Sequence, residues 1–568
     1  MFKSFYNVLA FVFCACLFSP GYAQFFPNKN YPQAYFQWPV GAKIGIVANF
    51  GELRPNHYHM GLDCQTEQKQ NLPVYAAAPG YIAKVKIEPF GFGRCIYINH
   101  PNGLTTLYAH LNEFAPELEK YVTAQQYSMQ SWAVFLDIPK NLFPVKKGEL
   151  VAHSGSTGGS QGPHVHFEIR DTKTDKVLNP SLFNFPIPDH VAPKIIRLAV
   201  YDRSISTYEQ TPRVFAVKKT GDNYTTQPAE LLINADLVSF AITAFDTYDG
   251  SSNENGIYEA ILYDNDKPVS GFQIDSISYT ETRYLNAHID HKLRSNGGPF
   301  LEHLSRLPGY NNSIYRSDGS DGVINLNDTS THAMAIVVKD ANGNSSTLKF
   351  SIRKNGISSN QWINREKMFY PNTLNIFEND KISFYLPENC IYDSFRFVYK
   401  ELQPAQGRTI FQLMNPAIPL HTYFPVKIKD SFPVSDTGKI VMERSFKNKT
   451  DYTKATGDNG WYKASFKEFG DFQLLVDTIP PTVLPVGFRN GMDTRKQSRI
   501  VFVVTDNTEE IKRFTALLDG KWLRFSNDKG KNFVYNFDEH CAPGAHELKI
   551  IAEDQVGNIT EKIFTFTR

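Results

Sequence analysis

The chain has 568 residues, more than one hydrophobic core supports, so its length predicts several domains. Its 59 Lys and Arg nearly balance its 58 Asp and Glu, which leaves no net field to attract nucleic acid or an anionic membrane surface. Aromatic residues make up 14% and charged residues 21% of the chain, and this composition favours packed, pleated structure over disorder.

The first residues are typical of an export signal. Lys3 precedes a short apolar stretch, and a small-x-small cleavage site ends at Ala23. We therefore expect a signal peptide over residues 1–23 and a protein secreted across the inner membrane, into the periplasm, the cell envelope or the outside. The apolar stretch is too short to span a bilayer and no later stretch is long enough, so no transmembrane segment is expected.

Alternating apolar and polar residues dominate the remaining chain and predict strands. Asn-Gly and Asp-Gly pairs between them suit tight turns between antiparallel strands. The expected fold class is therefore mainly β. The exception is the stretch from Pro116 to about Trp132, where a proline is followed by side chains at helical spacing.

Two segments of the first 170 residues place a histidine on a predicted strand. In HMGLD, residues 59–63, the even separation puts His59 and Asp63 on one side of an extended strand, so both can face one metal. In TTLYAHL, residues 105–111, alternation puts Tyr108 and His110 opposite the apolar residues.

A third predicted strand, PHVHFEI at residues 163–169, points His164 and His166 to one face and three apolar side chains to the other. The glycine-rich segment HSGSTGGSQG, residues 153–162, leads into it. No Gly-Lys-Ser/Thr follows and the next element is a strand, so the segment is not a phosphate loop. We expect close approach of a substrate to its backbone. One Asp and two His match the donor set of a catalytic zinc site, whose fourth position is left to water.

In this order, HMGLD, TLYAHL and SGSTGGSQGPHVHFEI resemble the motifs of lysostaphin-type (LytM-like) zinc metallopeptidases of bacterial cell walls. The match covers roughly residues 38–186 and predicts an antiparallel β-sheet metallopeptidase domain. It implies that the metal is Zn²⁺, bound by the ligands His59, Asp63 and His166.

By the same resemblance, His110 and His164 are catalytic histidines that do not bind the metal. They would orient or deprotonate a zinc-activated water, stabilise the oxyanion or protonate the departing amine, while the substrate is a peptide crosslink of peptidoglycan. His57 competes with His59, but only His59 keeps the family's spacing to Asp63.

Two further features of this part of the chain leave alternatives open. Residues 112–144 form an insertion that contains the predicted helix and either packs against the sheet, walls the substrate groove or acts as a lid that restrains activity. Cys64 and Cys95 fall in one predicted domain, and an export signal permits a disulfide between them without establishing one.

The second part of the chain contains an internal repeat. Three motif pairs recur in the same order: DHVAP at 189–193 with DTIPP at 477–481, TAFD at 243–246 with VVTD at 503–506, and DANGN at 340–344 with DQVGN at 554–558. The repeats resemble bacterial immunoglobulin-like β-sandwich modules. Elsewhere, Asp249-Gly250 and residues 318–322 lack the full Asp-x-Asp-x-Asp-Gly calcium loop, so we interpret both as turns.

We therefore expect a peptidase domain over residues 24–188 and about three β-sandwich domains. Immunoglobulin-like domains would span 189–354 and 477–568, with a further β-sandwich over 355–476. These modules would position the enzyme in the envelope or bind an envelope protein partner.

Two other classes of protein are weighed against the enzyme. One is a catalytically silent wall-binding regulator of another hydrolase, but relatives of that kind typically lose metal-site residues and all five are present here. The other is an adhesive or structural protein, which leaves the histidine motifs unexplained.

Overall fold

A computed structural model describes residues 25–27, 29–356, 367–404, 407–530 and 532–568. The predicted signal peptide lies outside these ranges. The chain divides into two units, Met1–Asn30 and Tyr31–Arg568. In the first, the rings of Phe25 and Phe26 meet edge to face with centroids 5.1 Å apart. The second is described below. Within the described ranges, no helix is both long and apolar enough to cross a membrane.

Strands dominate the second unit, which confirms the mainly β fold class. The predicted helix is also confirmed: α1, Pro116–Met129, has the proline in its first turn and ends at Gln130 in the left-handed conformation. Its buried side chains include Leu118 and Val122, which join the neighbouring core. The other helices are α2 (Leu285–His288), α3 (His291–Ser295) and the short 3-10 turns Pro180–Phe183, Thr207–Glu209, Thr282–Tyr284 and Val434–Lys439.

The N-terminal segment, residues 31–188, is built mainly on one sheet. Its strands are β1 (Ile46–Ala48), β2 (Leu53–Arg54), β3 (His57–Tyr58), β4 (Leu62–Gln65), β5 (Pro73–Tyr75), β6 (Gly80–Ile87), β7 (Arg94–Asn99), β8 (Leu104–Ala109), β9 (Leu111–Phe114), β10 (Val134–Asp137), β11 (Pro144–Val145), β12 (Leu150–Ser154), β13 (His164–Asp171) and β14 (Val177–Leu178). The main sheet has the order β1-β4-β13-β8-β7-β6-β10, and β5-β12-β9 form a second sheet. Antiparallel pairing places β13 between β4 and β8.

The first repeat, residues 189–354, forms an 11-stranded sheet in which β25 and β26 are central. Its strands are β15 (Lys194–Asp202), β16 (Arg213–Thr220), β17 (Asn223–Ile233), β18 (Leu237–Phe245), β19 (Glu259–Asp264), β20 (Lys267–Gln273), β21 (Ser276–Ile277), β22 (Glu302–His303), β23 (Tyr315–Ser317), β24 (Ile324–Asn325), β25 (Thr331–Lys339) and β26 (Ser345–Lys354). The strand β21 is not part of this sheet. It pairs with β14, so the first repeat adds a strand to the main sheet of the N-terminal segment.

The middle segment, residues 355–476, has two five-stranded sheets around one aromatic core. Its strands are β27 (Met368–Phe369), β28 (Asn375–Glu378), β29 (Ile382–Leu386), β30 (Phe395–Arg396), β31 (Tyr399–Leu402), β32 (Ile410–Leu413), β33 (Phe424–Lys429), β34 (Ile440–Phe446), β35 (Lys449–Lys454), β36 (Thr456–Asp458), β37 (Trp461–Phe466) and β38 (Gly470–Val476).

The last repeat, residues 477–568, has a three-stranded and a five-stranded sheet around a separate core. Its strands are β39 (Thr482–Val486), β40 (Met492–Asp493), β41 (Arg499–Thr505), β42 (Ile511–Leu518), β43 (Lys521–Trp522), β44 (Asn532–Asn536), β45 (Ala545–Asp554) and β46 (Ile559–Thr567).

The cysteine pair raised as a disulfide hypothesis is not bonded. Cys64 and Cys95 are free and buried, as are the other two cysteines of the described residues. Cys64 lies on β4 and Cys95 on β7, and the strands β13 and β8 lie between them. Strands are spaced ~4.8 Å apart, which separates the two cysteines by roughly 14 Å, beyond the ~7 Å that a disulfide allows between Cα atoms.

Candidate metal centre

Three predicted ligands converge in the N-terminal segment. His59 Nε2 lies 2.9 Å from Asp63 Oδ1 and 3.0 Å from His166 Nδ1, and His166 Nδ1 lies 3.0 Å from Asp63 Oδ1. All three side chains are buried. We call these three residues the metal centre.

Strand pairing brings the ligands together. His166 on β13 lies directly opposite Asp63 on β4, so the two side chains share one face of the main sheet. Because β4 begins only at Leu62, His59 reaches the same point from the turn before the strand. That turn passes close to β13: a Cβ on Gly61 would lie 2.5 Å from the carbonyl oxygen of Phe167.

Hydrogen bonds fix which nitrogen of each ligand histidine faces the centre. His59 Nδ1 lies 2.7 Å from the Asn49 carbonyl oxygen, which can only accept, so Nδ1 carries the proton and Nε2 keeps its lone pair. His166 Nε2 lies 3.0 Å from Glu168 Oε1, which leaves His166 Nδ1 for the centre. Zinc ligands in proteins are typically oriented by such outer hydrogen bonds.

This arrangement fits zinc. Two nitrogens and one carboxylate oxygen are ligands that zinc prefers, and zinc–ligand bonds of ~2.0–2.1 Å in a tetrahedron imply ligand separations of about 3.3 Å. The observed separations of 2.9–3.0 Å are close to that value. Burial alone would raise the pKa of Asp63, but the facing histidines outweigh it and hold the pKa well below its usual range. The carboxyl group is therefore ionised and can bind a cation.

The two histidines predicted to be catalytic lie beside the centre. His164 Nε2 is 3.4 Å from Asp63 Oδ1, and the His110 and His164 rings are 4.8 Å apart. His110 donates Nδ1–H to the Thr157 carbonyl oxygen at 2.8 Å, which leaves its Nε2 unprotonated, and His164 Nδ1 donates to the Gly162 carbonyl oxygen at 2.9 Å. Burial and the two neighbouring histidines lower the pKa of His110 to about 3.

The alternation predicted around His110 is wrong. On β8 it is Leu107 and Ala109 that share the face of His166, whereas Tyr108 points into the core and accepts a hydrogen bond from the Ala77 N–H. His110 joins the metal face because its φ of 60° breaks the strand between β8 and β9.

His57 takes no part in the centre. It is exposed on β3 and donates from its ring to the Pro55 carbonyl oxygen at 2.8 Å.

An outer set of residues, none of them among the predicted ligands or catalytic histidines, supports His166. Glu168 is fully buried and accepts hydrogen bonds from His166, from Arg170 Nε at 2.6 Å and from the Tyr279 hydroxyl. Burial opposes ionisation of Glu168, but Arg170, His166 and Tyr279 together lower its pKa to about 2. Arg170 shares the period-two face of β13 and could have been found from the sequence. Tyr279 comes from the first repeat, and no local signal points to it.

Asp63 has a second unpredicted partner. Arg54 Nη2 donates to Asp63 Oδ2 at 2.8 Å, while Oδ1 faces the histidines. The two oxygens of Asp63 are thereby assigned different roles, one held by the protein and one directed at the metal centre.

A groove of about 1450 Å³ opens over Asp63, His110 and His164. One wall comes from the glycine-rich segment and the other from the first repeat, including Tyr248 and Arg294. Residues 112–144 are not among the residues that line this groove. The strand β10 of the insertion pairs with β6 instead, as in the alternative in which the insertion packs against the sheet.

The last repeat contacts both the insertion and the glycine-rich segment. Arg524 donates to Gln126 Oε1 on α1 at 2.9 Å. Asp528 accepts a hydrogen bond from the Gly158 N–H at 2.7 Å, and Lys529 Nζ donates to the Ser160 carbonyl oxygen at 2.8 Å. The glycine-rich segment, which is expected to meet the substrate, is therefore held in place by residues of the last repeat.

Two family models match parts of the chain. The model of Peptidase family M23 matches residues 57–127, and the model of the Zu5-like domain matches residues 366–477. The first match contains His59, Asp63 and His110. The chain thus carries a peptidase family M23 domain, as the motif resemblance implies, and this family comprises metallopeptidases.

Three curated relatives align over a similar length. The DD-carboxypeptidase/endopeptidase Mpg of Neisseria meningitidis serogroup B is 32% identical over 131 residues, covering 23% of this chain and 24% of Mpg. The cell division protein DipM of Caulobacter vibrioides is 28% identical over 141 residues, covering 25% and 19%. The peptidoglycan DD-endopeptidase ShyA of Vibrio cholerae is 25% identical over 143 residues, covering 24% and 27%. This chain therefore spans about a quarter of the length of the relatives it matches.

Proposed function

We propose that this chain is a secreted, zinc-dependent endopeptidase that hydrolyses peptide crosslinks of peptidoglycan. The observation that carries the proposal is the convergence of His59 Nε2, Asp63 Oδ1 and His166 Nδ1 at 2.9–3.0 Å, beside His110 and His164 in an open groove. The names of two relatives, an endopeptidase and a peptidoglycan DD-endopeptidase, support the substrate class.

The residues of the site have complementary roles in this proposal. His59, Asp63 and His166 would hold the metal, and bound zinc supplies Lewis-acid polarisation and lowers the pKa of water toward ~7. His110 and His164 each hold Nδ1 on a backbone carbonyl oxygen, and in this proposal the Nε2 atoms carry the proton between the attacking water and the departing amine. A catalytic zinc site leaves its fourth position to water, and we assign the nucleophile to that water.

The rest of the chain has a supporting role in the same proposal. Residues 1–23 direct export, and the peptidase domain spans residues 24–188. The immunoglobulin-like domains at 189–354 and 477–568 and the β-sandwich at 355–476 position the peptidase in the envelope or bind an envelope protein.

The proposal is tested by incubating the mature chain from Gln24 with crosslinked peptidoglycan, with and without a zinc chelator. Mass spectrometry of the products identifies the bond that is cut. We expect loss of crosslinked muropeptides that requires zinc, and a fall of ~10²–10⁴-fold in rate for His110→Ala because a positioned proton carrier is removed.

The matched control is His57→Ala, which removes an exposed histidine near the same ligands and should leave the rate unchanged. A zinc-loaded protein that binds peptidoglycan and cuts nothing would contradict the enzyme and favour a catalytically silent regulator of another hydrolase.

A further inference from the structure

Two groups of three aspartates lie outside the metal centre and share no residue with it. Within each group, one carboxylate oxygen from each residue lies within 4.8 Å of the other two. The first group is Asp189, Asp246 and Asp340, and the second is Asp477, Asp506 and Asp554. They occupy the same three motifs of the internal repeat, so the repeat reproduces one spatial arrangement at two places in the chain.

The surroundings of the two groups are also alike. In the first repeat, Asn344 Nδ2 donates to Asp340 Oδ2 at 2.7 Å and to the Asp189 carbonyl oxygen at 3.3 Å. In the last repeat, the corresponding amide of Asn558 donates to Asp554 Oδ2 at 2.6 Å and to the Asp477 carbonyl oxygen at 3.0 Å. The turn that ends each repeat therefore fixes two of the three acids against each other.

Asp246 is a buried acid whose carboxyl group finds no polar partner among the described residues. Its side chain is 1% exposed, and neither carboxylate oxygen has a hydrogen-bond partner. Of the described residues, the charges that act on Asp246 and Asp506 are those of the neighbouring acids. Burial, Asp189 and Asp340 together raise the pKa of Asp246 to about 7. In the last repeat, Asp506 Oδ1 is likewise buried without a partner.

A buried carboxylate without a donor or a cation is unfavourable, and a bound cation would relieve this at both places where the arrangement occurs. The available donors are all oxygens, which excludes the softer metals that prefer His and Cys. Calcium accepts carboxylate and carbonyl oxygens in flexible geometry, whereas magnesium demands a near-ideal octahedron and keeps its waters. We propose that each repeat binds one Ca²⁺ ion through its three aspartates.

The positions of the two groups indicate what the ions would do. Asp189 lies between the N-terminal segment and β15, and Asp477 directly follows β38 of the middle segment. Asp246 begins a loop in which Tyr248 packs into the core of the N-terminal segment and Asn253 lines the groove. Calcium would thus stabilise the two boundaries between segments at Asp189 and Asp477. It would also stabilise the loop after Asp246, which lines the proposed substrate groove.

The test measures thermal unfolding of the zinc-loaded mature chain with CaCl₂ or with a calcium chelator. Extracellular calcium modules bind with Kd of ~10⁻⁴–10⁻³ M, so about 10 mM CaCl₂ should raise Tm by roughly 2–8 °C. The double variant Asp246→Asn and Asp506→Asn should lose this rise. In chelator its Tm should equal or exceed that of the wild type, because the substitutions remove uncompensated charge.

Asp318→Asn, in an exposed turn of the first repeat, should keep the whole rise and controls for general loss of acidic charge. Calorimetric titration should give two sites for the wild type and one for either single variant. A wild-type Tm that does not change with CaCl₂ would overturn the proposal, as would a double variant whose Tm still rises with CaCl₂. An equal rise with the same concentration of MgCl₂ would overturn the assignment to calcium.

Discussion

The hydroxyl of Tyr279 reaches the metal centre through one other side chain, that of Glu168. It donates to Glu168, which also accepts from His166 Nε2, and the ring lies 4.9 Å from the Arg170 guanidinium. A tyrosine from the first repeat thereby helps to hold a ligand of the N-terminal segment in place. Residues that orient a zinc ligand commonly change metal affinity by ~10–100-fold.

We predict that Tyr279→Phe weakens zinc binding by about 10-fold without unfolding the chain, since the ring and its contact with Arg170 remain. Competition against a chelating dye measures the affinity. Tyr385→Phe, at an exposed tyrosine of the middle segment, should bind zinc as the wild type does. Unaltered affinity in Tyr279→Phe would show that Glu168 is held well enough by Arg170 alone.

At the scale of single residues, much of the site can be predicted from the sequence motifs. His59, Asp63, His110, His164 and His166 are all predicted and are all brought together by the structure. Residues outside the motifs are not: Tyr279 lies 111 positions after Glu168, and only tertiary structure joins them.

The pairing of β4 with β13 is the element on which the metal centre depends. At the entry to β4, Gly61 packs so closely on β13 that an added Cβ would lie 2.5 Å from the Phe167 carbonyl oxygen and 2.9 Å from the His166 ring. Backbone cannot yield as a flexible side chain can, so even one methyl group must push the strands apart.

We predict that Gly61→Ala destabilises the N-terminal segment by ~1–3 kcal/mol and reduces zinc content, because it displaces His166 from Asp63. Thermal unfolding and metal analysis of the purified chain measure both effects. Gly162→Ala is the matched control, since nothing lies within 4 Å of its added Cβ. Equal stability and zinc content in the two variants would refute the prediction.

Period-two patterns predict β13 well and β8 badly, for a physical reason. On β13 alternation continues without interruption, with Val165, Phe167 and Ile169 buried in the core. Near the end of β8, His110 adopts a left-handed conformation, and this single residue reverses which side chains share a face. Alternation carries no information about such a break, because histidine rarely takes that conformation without tertiary support.

On the scale of the whole molecule, the last repeat holds the glycine-rich segment. Asp528 accepts from the Gly158 N–H and Lys529 donates to the Ser160 carbonyl oxygen, some 370 residues away in sequence. A backbone amide that donates to a carboxylate is stabilised by ~1.5–3 kcal/mol.

We predict that Asp528→Ala accelerates hydrogen exchange of the Gly158 amide by about 10–100-fold, because its acceptor is lost. Exchange followed by mass spectrometry of peptides from residues 154–162 measures this. Glu539→Ala, at an exposed acid of the same repeat, should leave the exchange unchanged. If Asp528→Ala behaves in the same way, the contact does not restrain the segment in solution.

The order of segments along the chain could be predicted from motifs and repeats, but their association could not. The repeated motifs indicate where two of the segments begin, and the Zu5-like match falls on the expected middle segment. The contacts of Arg524 with α1 depend on the path of the whole chain, which local sequence patterns do not determine.

Because β14 pairs with β21, the stretch of sequence that carries the site is shorter than the part of the chain that folds together. A gene fragment ending at residue 188 would contain every predicted catalytic residue, yet it would expose the unpaired edge of β14. It would also expose Phe50, Tyr58 and Met60, which belong to the core of the first repeat. Open strand edges and bare apolar surface promote aggregation. We therefore expect residues 31–354, rather than the N-terminal segment alone, to be the shorter fragment that keeps the metal centre folded.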